Sequence, residues 1–388
     1  MKQLYILICF LSISLSAQTA FYNAGNLGIH NNSKIGFHTS LINNADFDDT
    51  KGFVGFYGDT QISISGITPS FNEVTIDNEN GVFLNTSINI SGDVFFIEGD
   101  FITPIINAQN ANIYVNFNKT NQNALGINNS KIDGYALATN KQNFTFPVGD
   151  TDYYRPLILA SEAINTKAKC AYYSENPNTP SAFTTNFLTV RKPRIIDYIS
   201  NKEFWHLEST LNSNVTLSWN VNSNLAAITD DITTIIVVGW SKSLQRWVDL
   251  GRSLSKGNIF DGAVTSKSFT PSDYEIITLG TYDNPTNVLN VDNYLVTPNG
   301  DGKNDTLIFE ELTLSLNKDF QIFDLQIFDR FGLKVFEKEN YSNEFNGISN
   351  TGSFVIKSNS GLPSGIYFYL INLKNINKTF QGFLYLTR

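Results

Sequence analysis

The sequence predicts an all-β protein with a short parallel β-solenoid, then an antiparallel β-sandwich, then a third strand-rich domain. Three observations carry this prediction: the composition, a repeat near the start of the chain, and strand-sized apolar runs elsewhere. Phe and Tyr are abundant (30 and 17 residues), whereas only 16% of all residues are charged. This mixture favours strands and turns over long amphipathic helices. At 388 residues, two or three domains are expected.

The charge of the chain limits its partners. The formal net charge is −9 and the isoelectric point is about 4.9, and no cluster of Lys and Arg stands out. Such a chain repels polyanions, so nucleic acid is excluded as an expected partner.

The first 17 residues have the pattern of a signal peptide. Lys2 precedes an apolar run from Leu4 to Leu15, and small residues lead up to Ala17, after which we expect cleavage. The apolar run is only about 12 residues long, whereas a membrane-spanning helix needs roughly 20. We therefore predict no transmembrane segment in the mature chain.

The mature chain is expected to keep a single cysteine, Cys170, because Cys9 lies within the predicted signal peptide. One cysteine cannot form an intramolecular disulfide, so stability must come from apolar cores. Cys170 lies in the alternating segment "AKCAYYS", which favours packing in a strand over a catalytic thiol.

Short apolar pairs recur with a period of about 20 residues near the start of the chain. The first series is Ile35/Phe37, Phe53/Val54, Val74/Ile76, Val94/Phe96 and Ile113/Val115, and the second is Leu41/Ile42, Ile62/Ile64, Val82/Leu84 and Phe101/Ile102. Each coil of a parallel solenoid must return its strands onto the coil below, which requires such a period. We predict about five coils over residues 18–130. An ordinary β-sandwich with chance periodicity is the alternative.

Residues 131–283 are predicted to form the antiparallel β-sandwich, because strand-sized runs alternate there with Ser, Asn, Asp and Gly. The four tryptophans fall in this range: Trp205, Trp219, Trp240 and Trp247. The apolar neighbours of Trp219 and Trp240 favour a place in the core. Trp247 has polar neighbours and is therefore the candidate glycan contact.

Residues 284–291 are polar and contain Pro285, which predicts a linker to a third domain over residues 292–388. Asp329 to Gly332 is a predicted hairpin turn. In "GIYFYLINLK" both alternating faces are apolar, so we expect a central strand that is covered on both sides. The strand-like last residues predict an ordered C-terminus.

The segment "VTPNGDGKNDTL" concentrates turn-forming residues and side-chain oxygens at the entrance of this domain. Asn and Asp cap their own backbone in turns, and Gly supplies positive φ, so a structural turn is expected. The alternative is a structural Ca²⁺ held by Asn299, Asp301 and Asp305, although the EF-hand pattern fails at Thr297 and Ile308. No cofactor is otherwise required.

Four motifs in this order at the C-terminus, "VTPNGDGKNDTL", "LQIFDRFGLKVFE", "GLPSGIYFYLINL" and "FQGFLYLTR", carry a family resemblance. Residues 292–388 resemble the gliding-motility-associated C-terminal domain of Bacteroidetes, the type B sorting domain of the type IX secretion system. The resemblance implies a seven-stranded immunoglobulin-like β-sandwich that serves as an export address. The motif residues it marks are Pro298, Asn299, Gly300, Asp301, Gly302, Asn304, Asp305, Phe328, Arg330, Gly332, Pro363, Gly365 and Tyr367.

The resemblance also implies partners and a location. The signal peptide would take the chain across the inner membrane, and the outer-membrane translocon would then read the C-terminal domain. Some related cargo, including surface adhesins, depends on a dedicated outer-membrane helper barrel. The expected location is therefore the cell surface or the medium.

A search for catalytic signatures favours a non-enzymatic protein. The sequence contains no G-x-S-x-G, H-E-x-x-H, C-x-x-C or phosphate-binding glycine loop, and only three histidines. We therefore predict adhesion or surface structure as the function. Two alternatives stay open: a carbohydrate-binding protein with exposed aromatic side chains, and a glycan-cleaving solenoid, which requires carboxylates that converge in one groove.

Overall fold

The computed structural model describes residues 20–47, 51–105, 107–108, 111–119, 124–282, 293–309, 312, 322–351, 361–374 and 378–388. The predicted signal peptide and the predicted linker at residues 284–291 lie outside these ranges. The regular structure in the described part is almost entirely β, which confirms the predicted fold class. No helix within these ranges is long and apolar enough to cross a membrane.

The first part of the chain is a parallel β-solenoid with three faces and about six turns. Its strands are β1 (Ala20–Asn23), β2 (Lys34–Phe37), β3 (Ser40–Asn43), β4 (Phe53–Gly58), β5 (Ile62–Gly66), β6 (Ser70–Phe71), β7 (Glu73–Asn78), β8 (Val82–Leu84), β9 (Ile88–Ile90), β10 (Val94–Glu98), β11 (Phe101–Ile102), β12 (Val115–Phe117), β13 (Ile132–Asp133), β14 (Ala136–Phe146) and β15 (Val148–Gly149). The first face stacks β1, β3, β5, β8, β11, β13 and β15. The second stacks β2, β4, β7 and β10, and the third stacks β6, β9, β12 and β14.

Inward side chains line up from coil to coil because the strands pair in parallel and in register. Val54 pairs with Val74, which pairs with Val94, and all three are buried. Inside the solenoid, the rings of Phe71 and Phe101 lie edge-on to that of Phe56, at 5.8 and 5.9 Å between centroids. The 20-residue repeat of the sequence therefore corresponds to the stacking of equivalent side chains from one coil to the next.

The tight corners between faces need residues without a side chain. Gly99 adopts a φ of +75°, and a Cβ atom there would lie 1.6 Å from the backbone oxygen of Asn78 in the coil below. Only glycine fits such an approach of two backbones.

The solenoid continues past residue 130, where the sequence predicted its end. β13 stacks in parallel on β11, and β15 stacks on β13. β14 then pairs in parallel with β12 on one side and antiparallel with β16 (Leu157–Tyr173) on the other. The 20-residue period does not extend to the last coils, because Phe101 pairs with Ile132, 31 positions later, and Ile132 pairs with Val148, 16 positions later. One sheet thus joins the solenoid to the next region.

The region after the solenoid is antiparallel. Its remaining strands are β17 (Ile196–Ile199), β18 (Phe204–Glu208), β19 (Ser213–Trp219), β20 (Ile235–Ser241), β21 (Arg246–Asp249), β22 (Leu254–Asn258), β23 (Asp261–Thr265) and β24 (Tyr274–Tyr282). Short 3-10 helices occupy Val221–Ser223, Leu225–Ala227, Ile232–Thr234 and Pro271–Asp273. The first residues of β16 pair with β19 and its last residues pair with β18, so this long strand belongs to both branches of the sheet. Apolar side chains from both branches share one core with the solenoid.

A buried ion pair ties the start of this region together. Arg155 Nε donates to Glu203 Oε2 at 3.0 Å, and the Tyr172 hydroxyl donates to the same oxygen at 2.9 Å. Arg155 Nη2 also donates to the backbone oxygen of Ser218 at 2.7 Å. Because the guanidinium and the carboxylate are both buried, removal of either partner would leave an uncompensated charge.

A second buried polar group is centred on His206, in β18. Its Nδ1 lies 2.8 Å from the Tyr135 hydroxyl, which lies 2.8 Å from the Tyr173 hydroxyl. Burial, followed by the positive charges of Lys169 and Lys242, lowers the pKa of His206 to about 3. The folded protein therefore keeps this imidazole neutral at pH values where an exposed histidine is charged.

The C-terminal region contains one five-stranded sheet in the described residues. Its strands are β25 (Asn293–Val296), β26 (Asp324–Phe328), β27 (Lys334–Lys338), β28 (Gly365–Leu373) and β29 (Lys378–Leu386), in the order β25-β29-β28-β26-β27. β25 runs parallel to β29, and the other pairs are antiparallel.

β28 lies between β26 and β29, as expected for a central strand. The prediction that both of its faces are covered is wrong. Tyr367, Tyr369 and Ile371 are buried, but Ile366 and Phe368 on the opposite face are each 49% exposed. The alternation of the sequence identified two apolar faces but carried no information about whether another element lies over the second.

The solenoid core provides a stability test. Phe71→Ala removes a fully buried ring and should lower the free energy of unfolding by about 3–5 kcal/mol, because a cavity remains. Ile67→Ala is the matched control, since Ile67 is 53% exposed, and should change it by less than about 1 kcal/mol. Urea unfolding of the purified chain measures both. Equal effects of the two changes would contradict the burial of Phe71 in the solenoid core.

His206 gives a pH test. The unfolded chain binds a proton at His206 below about pH 6.5 and the folded chain does not, so stability falls as the pH drops from about 6.5 towards 3. This group contributes at most about 1.4 kcal/mol per pH unit in that window. His206→Asn should therefore show a shallower fall of melting temperature with decreasing pH than the original chain. Parallel curves would show that His206 is not kept neutral by the fold.

Candidate functional site

Three sequence motifs of the C-terminal region meet at one end of its sheet. Val296 at the end of β25 and Gly365 at the start of β28 both pair with Leu386, near the end of β29. The loop after Val296, the segment before Gly365 and the last residues of the chain therefore lie side by side. The turn after Phe328 lies at this end as well, because β26 runs antiparallel to β28. We call this region the motif end.

The loop at residues 297–305 is organised by Asp305. Its Oδ1 accepts hydrogen bonds from the backbone N–H groups of Asn299 (3.0 Å) and Gly300 (2.7 Å), and its Oδ2 accepts one from Gly302 (2.8 Å). These bonds, led by that from Gly300, lower the pKa of Asp305. Asn299 and Asp301 cap the same loop, because each accepts the N–H of the residue two positions further on. The predicted turn is confirmed, with a carboxylate at its centre.

The calcium alternative is not supported by this arrangement, because the oxygens of Asp305 already face backbone N–H donors. The Asn299 amide also donates to Asp301 Oδ2 at 2.9 Å. Among the described residues, no group of three or more His, Cys, Asp or Glu side chains is placed to hold a metal ion. Binding of Ca²⁺ by Asn299, Asp301 and Asp305 stays a prediction.

The second motif forms the hairpin between β26 and β27. Asp329 Oδ1 accepts the N–H groups of Phe331 and Leu333, each at 2.9 Å, and Gly332 adopts a φ of +80°. The predicted hairpin turn is therefore confirmed. The Arg330 guanidinium lies 4.8 Å from the centre of the Phe331 ring at the exposed tip.

The third motif and the last residues of the chain complete the motif end. The Tyr367 hydroxyl donates to the backbone oxygen of Pro363 at 2.8 Å. Thr387 N donates to Val296 O at 3.0 Å, and Arg388 Nη2 donates to Gly347 O at 2.9 Å. These bonds place the last two residues of the sequence against Val296 and Gly347. The motif residues of this region do not all face the same way: the side chain of Tyr367 is buried, whereas that of Arg330 is exposed.

The exposure predicted for Trp247 is wrong. Its indole is fully buried, lies edge-on to Trp240 at 5.8 Å and donates through Nε1 to the backbone oxygen of Phe187 at 3.3 Å. The segment that carries Phe183 and Phe187 covers the two indoles, and its distance in sequence hid this contact. Trp205 and Trp219 are buried too, so stacking of sugars on the indoles is excluded in this structure.

A charged group on the first face of the solenoid leaves no recognisable pattern in the sequence. Lys131 is buried, and its Nζ lies 3.2 Å from both carboxylate oxygens of Asp100. Burial, together with the charges of Asp100 and Asp150, raises the pKa of Asp133 to about 6. These aspartates are dispersed in sequence, so only the stacking of β11, β13 and β15 brings them together.

Comparison with known proteins identifies the C-terminal region. Residues 289–386, about a quarter of the chain, match the family model of the CHU_C type IX secretion signal domain. No curated protein and no solved structure matches the chain. The matched range contains all five strands of the C-terminal sheet and the motif end except for its last two residues, Thr387 and Arg388.

The motif loop yields a further test. Asp305→Ala removes the acceptor of three backbone N–H groups, so the C-terminal region should melt at a lower temperature than in the original chain. The difference should shrink as the pH falls below 3.8, the ordinary pKa of aspartate, and towards the lowered pKa of Asp305, because protonation weakens the same bonds in the original chain. Asp152→Ala is a control at an exposed aspartate. If added Ca²⁺ raised the melting temperature of the original chain and not of Asp305→Ala, the calcium alternative would hold.

Proposed function

As a cargo of the type IX secretion system, the chain is secreted or attached to the cell surface, and we propose that it is a non-enzymatic adhesion or surface-structure protein. The C-terminal signal domain supports export and leaves the solenoid and the antiparallel region as the displayed parts. The proposal includes cleavage of the signal peptide, display on the outer face of the outer membrane, use of a helper barrel and a link to gliding motility.

One observation carries the adhesion proposal: an exposed aromatic face on the second side of the solenoid. Its residues are His38, Phe53, Tyr57, Phe95 and Ile97, which we call the solenoid aromatic face. Phe95 and Ile97 are 43% and 52% exposed. The rings of His38 and Tyr57 stack at 5.6 Å. Phe53 and Tyr57 on β4 and Phe95 and Ile97 on β10 lie on either side of β7, and exposed apolar side chains grouped on one face are typical of interaction sites.

Two glycines shape this face. Gly36 pairs with Gly55 on neighbouring strands, and the Tyr57 ring lies flat over both positions. A Cβ atom at Gly55 would lie 2.2 Å from that ring, so the Tyr57 ring can keep this position only while residue 55 is glycine. The fold therefore supports a ring in a fixed orientation on the outside of the sheet, where it adds nothing to the inner core.

A carbohydrate is the second candidate ligand, with Tyr57 and Phe95 rather than the indoles as stacking groups. Aromatic side chains supply rigid, amphipathic contact area, and the carboxylates of Glu73 and Asp77 on the same strand set offer hydrogen-bond acceptors beside them. This alternative makes the ligand a glycan and leaves the protein non-enzymatic.

The glycan-cleaving alternative has one observation in its favour. Asp133, with its raised pKa, lies in the electrostatic range of Asp100 and Asp150, and a carboxyl group of this kind suits a general acid. The position of Asp100 does not require a catalytic role, because its carboxylate forms an ion pair with the buried Lys131. We therefore propose that this group stabilises the solenoid.

Cell attachment tests the adhesion proposal. Cells that display Phe95→Ser/Ile97→Ser should attach to a surface or to glycan-coated beads roughly tenfold less than cells that display the original chain, as expected when a contact of about 1.4 kcal/mol is lost. Ile67→Ser, exposed at a corner of the solenoid, is the matched control. Antibody labelling must show equal surface amounts. Equal attachment by all three would overturn the adhesive role of this face.

An assay for reducing sugars distinguishes the glycan-cleaving alternative from the non-enzymatic proposal. We expect the purified chain to release none from a panel of polysaccharides. If it does release them, and Asp133→Asn abolishes the release while the melting temperature is unchanged, the chain is a glycan-cleaving enzyme and the non-enzymatic proposal fails.

A further inference from the structure

One face of the C-terminal sheet is aromatic, and no described element lies over it. Cross-strand pairing arranges its outward side chains in rows: Leu295, Tyr385 and Ile366 form one row, and Phe383, Phe368 and Phe328 form the next. We call these six residues the signal-sheet face. Four of them, Leu295, Tyr385, Ile366 and Phe368, are each 48–49% exposed.

The second row borders a concavity of about 630 Å³ that is lined by Phe328, Phe368, Leu370 and Phe383, among others. Gly332 and Gly382, which also line it, leave room between these rings. The signal-sheet face is therefore a shallow apolar groove.

The other side of the sheet is already used. Leu325, Ile327, Tyr369, Ile371 and Leu384 point inward and belong to a buried apolar core. The outward rings consequently make no comparable contribution to the stability of the domain. Exposed apolar surface of this kind on a soluble domain is typical of a binding site.

The distribution of charge indicates the chemistry of the partner. Neither row of the signal-sheet face contains a charged side chain, and the next row is Gln381, Leu370 and Gln326. Charged groups lie at the rim: Lys334 and Glu337 are paired on the edge strand β27, and Asp329 and Arg330 line the hairpin end of the groove. An apolar centre with a polar rim is the composition of a protein-binding surface.

The charge also disfavours a second copy of the chain as the occupant. Each copy carries a formal net charge of −9, so two copies repel each other, and the six residues of the face are uncharged. A different protein with an uncharged, apolar surface fits better.

The face is continuous with the motif end. Phe328 leads directly into the hairpin with Arg330 and Gly332, and Ile366 follows Gly365. All of these residues lie within the matched range of the type IX secretion signal domain. A signal domain must present some surface to the machinery that reads it.

We propose that the signal-sheet face is the surface through which the type IX export machinery recognises this chain, and that its occupant is an apolar protein segment of that machinery. Phe368 and Phe383, at the centre of the groove, are expected to contribute most of the binding free energy. The inference rests on the signal-domain match and is independent of the proposed adhesive role.

A first experiment tests export of the full chain in a host with an active type IX system. Phe368→Thr and Phe383→Thr keep β-forming residues but remove the rings, and each should lower the exported fraction roughly tenfold. Ile348→Thr, at a 44% exposed position outside the face, is the control and should be exported normally. The melting temperatures of all purified chains must agree within about 2 °C, so that misfolding is excluded.

The outcomes separate the inference from the signal function itself. Normal export of both Phe variants would overturn the inference while the signal function stands. If the original chain is not exported from this host either, whereas a different type IX cargo is, the signal function fails and the inference fails with it. Loss of export in Ile348→Thr to the same extent would also overturn the specific role of the face.

A photo-crosslinking experiment identifies the occupant. Benzoylphenylalanine in place of Phe368 in the full chain should form an adduct with an export component during secretion, and the adduct should be missing from a strain that lacks the translocon. The same group at Ile348 should give no such adduct. An adduct that contains only two copies of this chain would overturn the assignment of the partner.

Discussion

The register of the parallel coils is the constraint on which the rest of the structure depends. Each inward side chain lies directly over its equivalent in the previous coil, so a row such as Val54, Val74 and Val94 is buried as a unit. Backbone pairing fixes the spacing of the rows, and apolar burial fixes which side faces inward. The third face then continues through β14 into the antiparallel region, so the two parts share a sheet and a core.

This constraint explains which parts of the fold the sequence could predict. A row of stacked side chains requires the same residue class at a fixed interval, and that interval was visible as the 20-residue period. The turn around Asp305 could also be predicted from the sequence, because the backbone N–H groups that bind its carboxylate belong to residues at most six positions away. Short-range interactions leave a local pattern, and stacked interactions leave a periodic one.

The predictions that failed concern contacts between distant segments. Trp247 has polar neighbours in sequence, but its indole is buried beneath a segment about 60 residues earlier, which includes Phe187. The outer face of β28 was predicted to be covered because its residues are apolar, yet no described element lies over Ile366 and Phe368. Alternation reports how a strand is divided into two faces, whereas burial depends on what packs against each face. The convergence of Asp100, Asp133 and Asp150 is likewise a consequence of stacking and not of spacing.

The same distinction applies to the export signal. The loop around Asp305, the hairpin at Gly332, the segment before Gly365 and the final residue Arg388 come from four separate parts of the sequence, and only the strand order of the sheet places them at one end. The hydrogen bond from Thr387 to Val296 closes this arrangement, so the last residues of the chain take part in it. A surface assembled in this way exists only once β29 has paired with β25 and β28. Export machinery that recognises this surface, as proposed above, would therefore respond to folding as well as to sequence, because an unfolded chain would not present it.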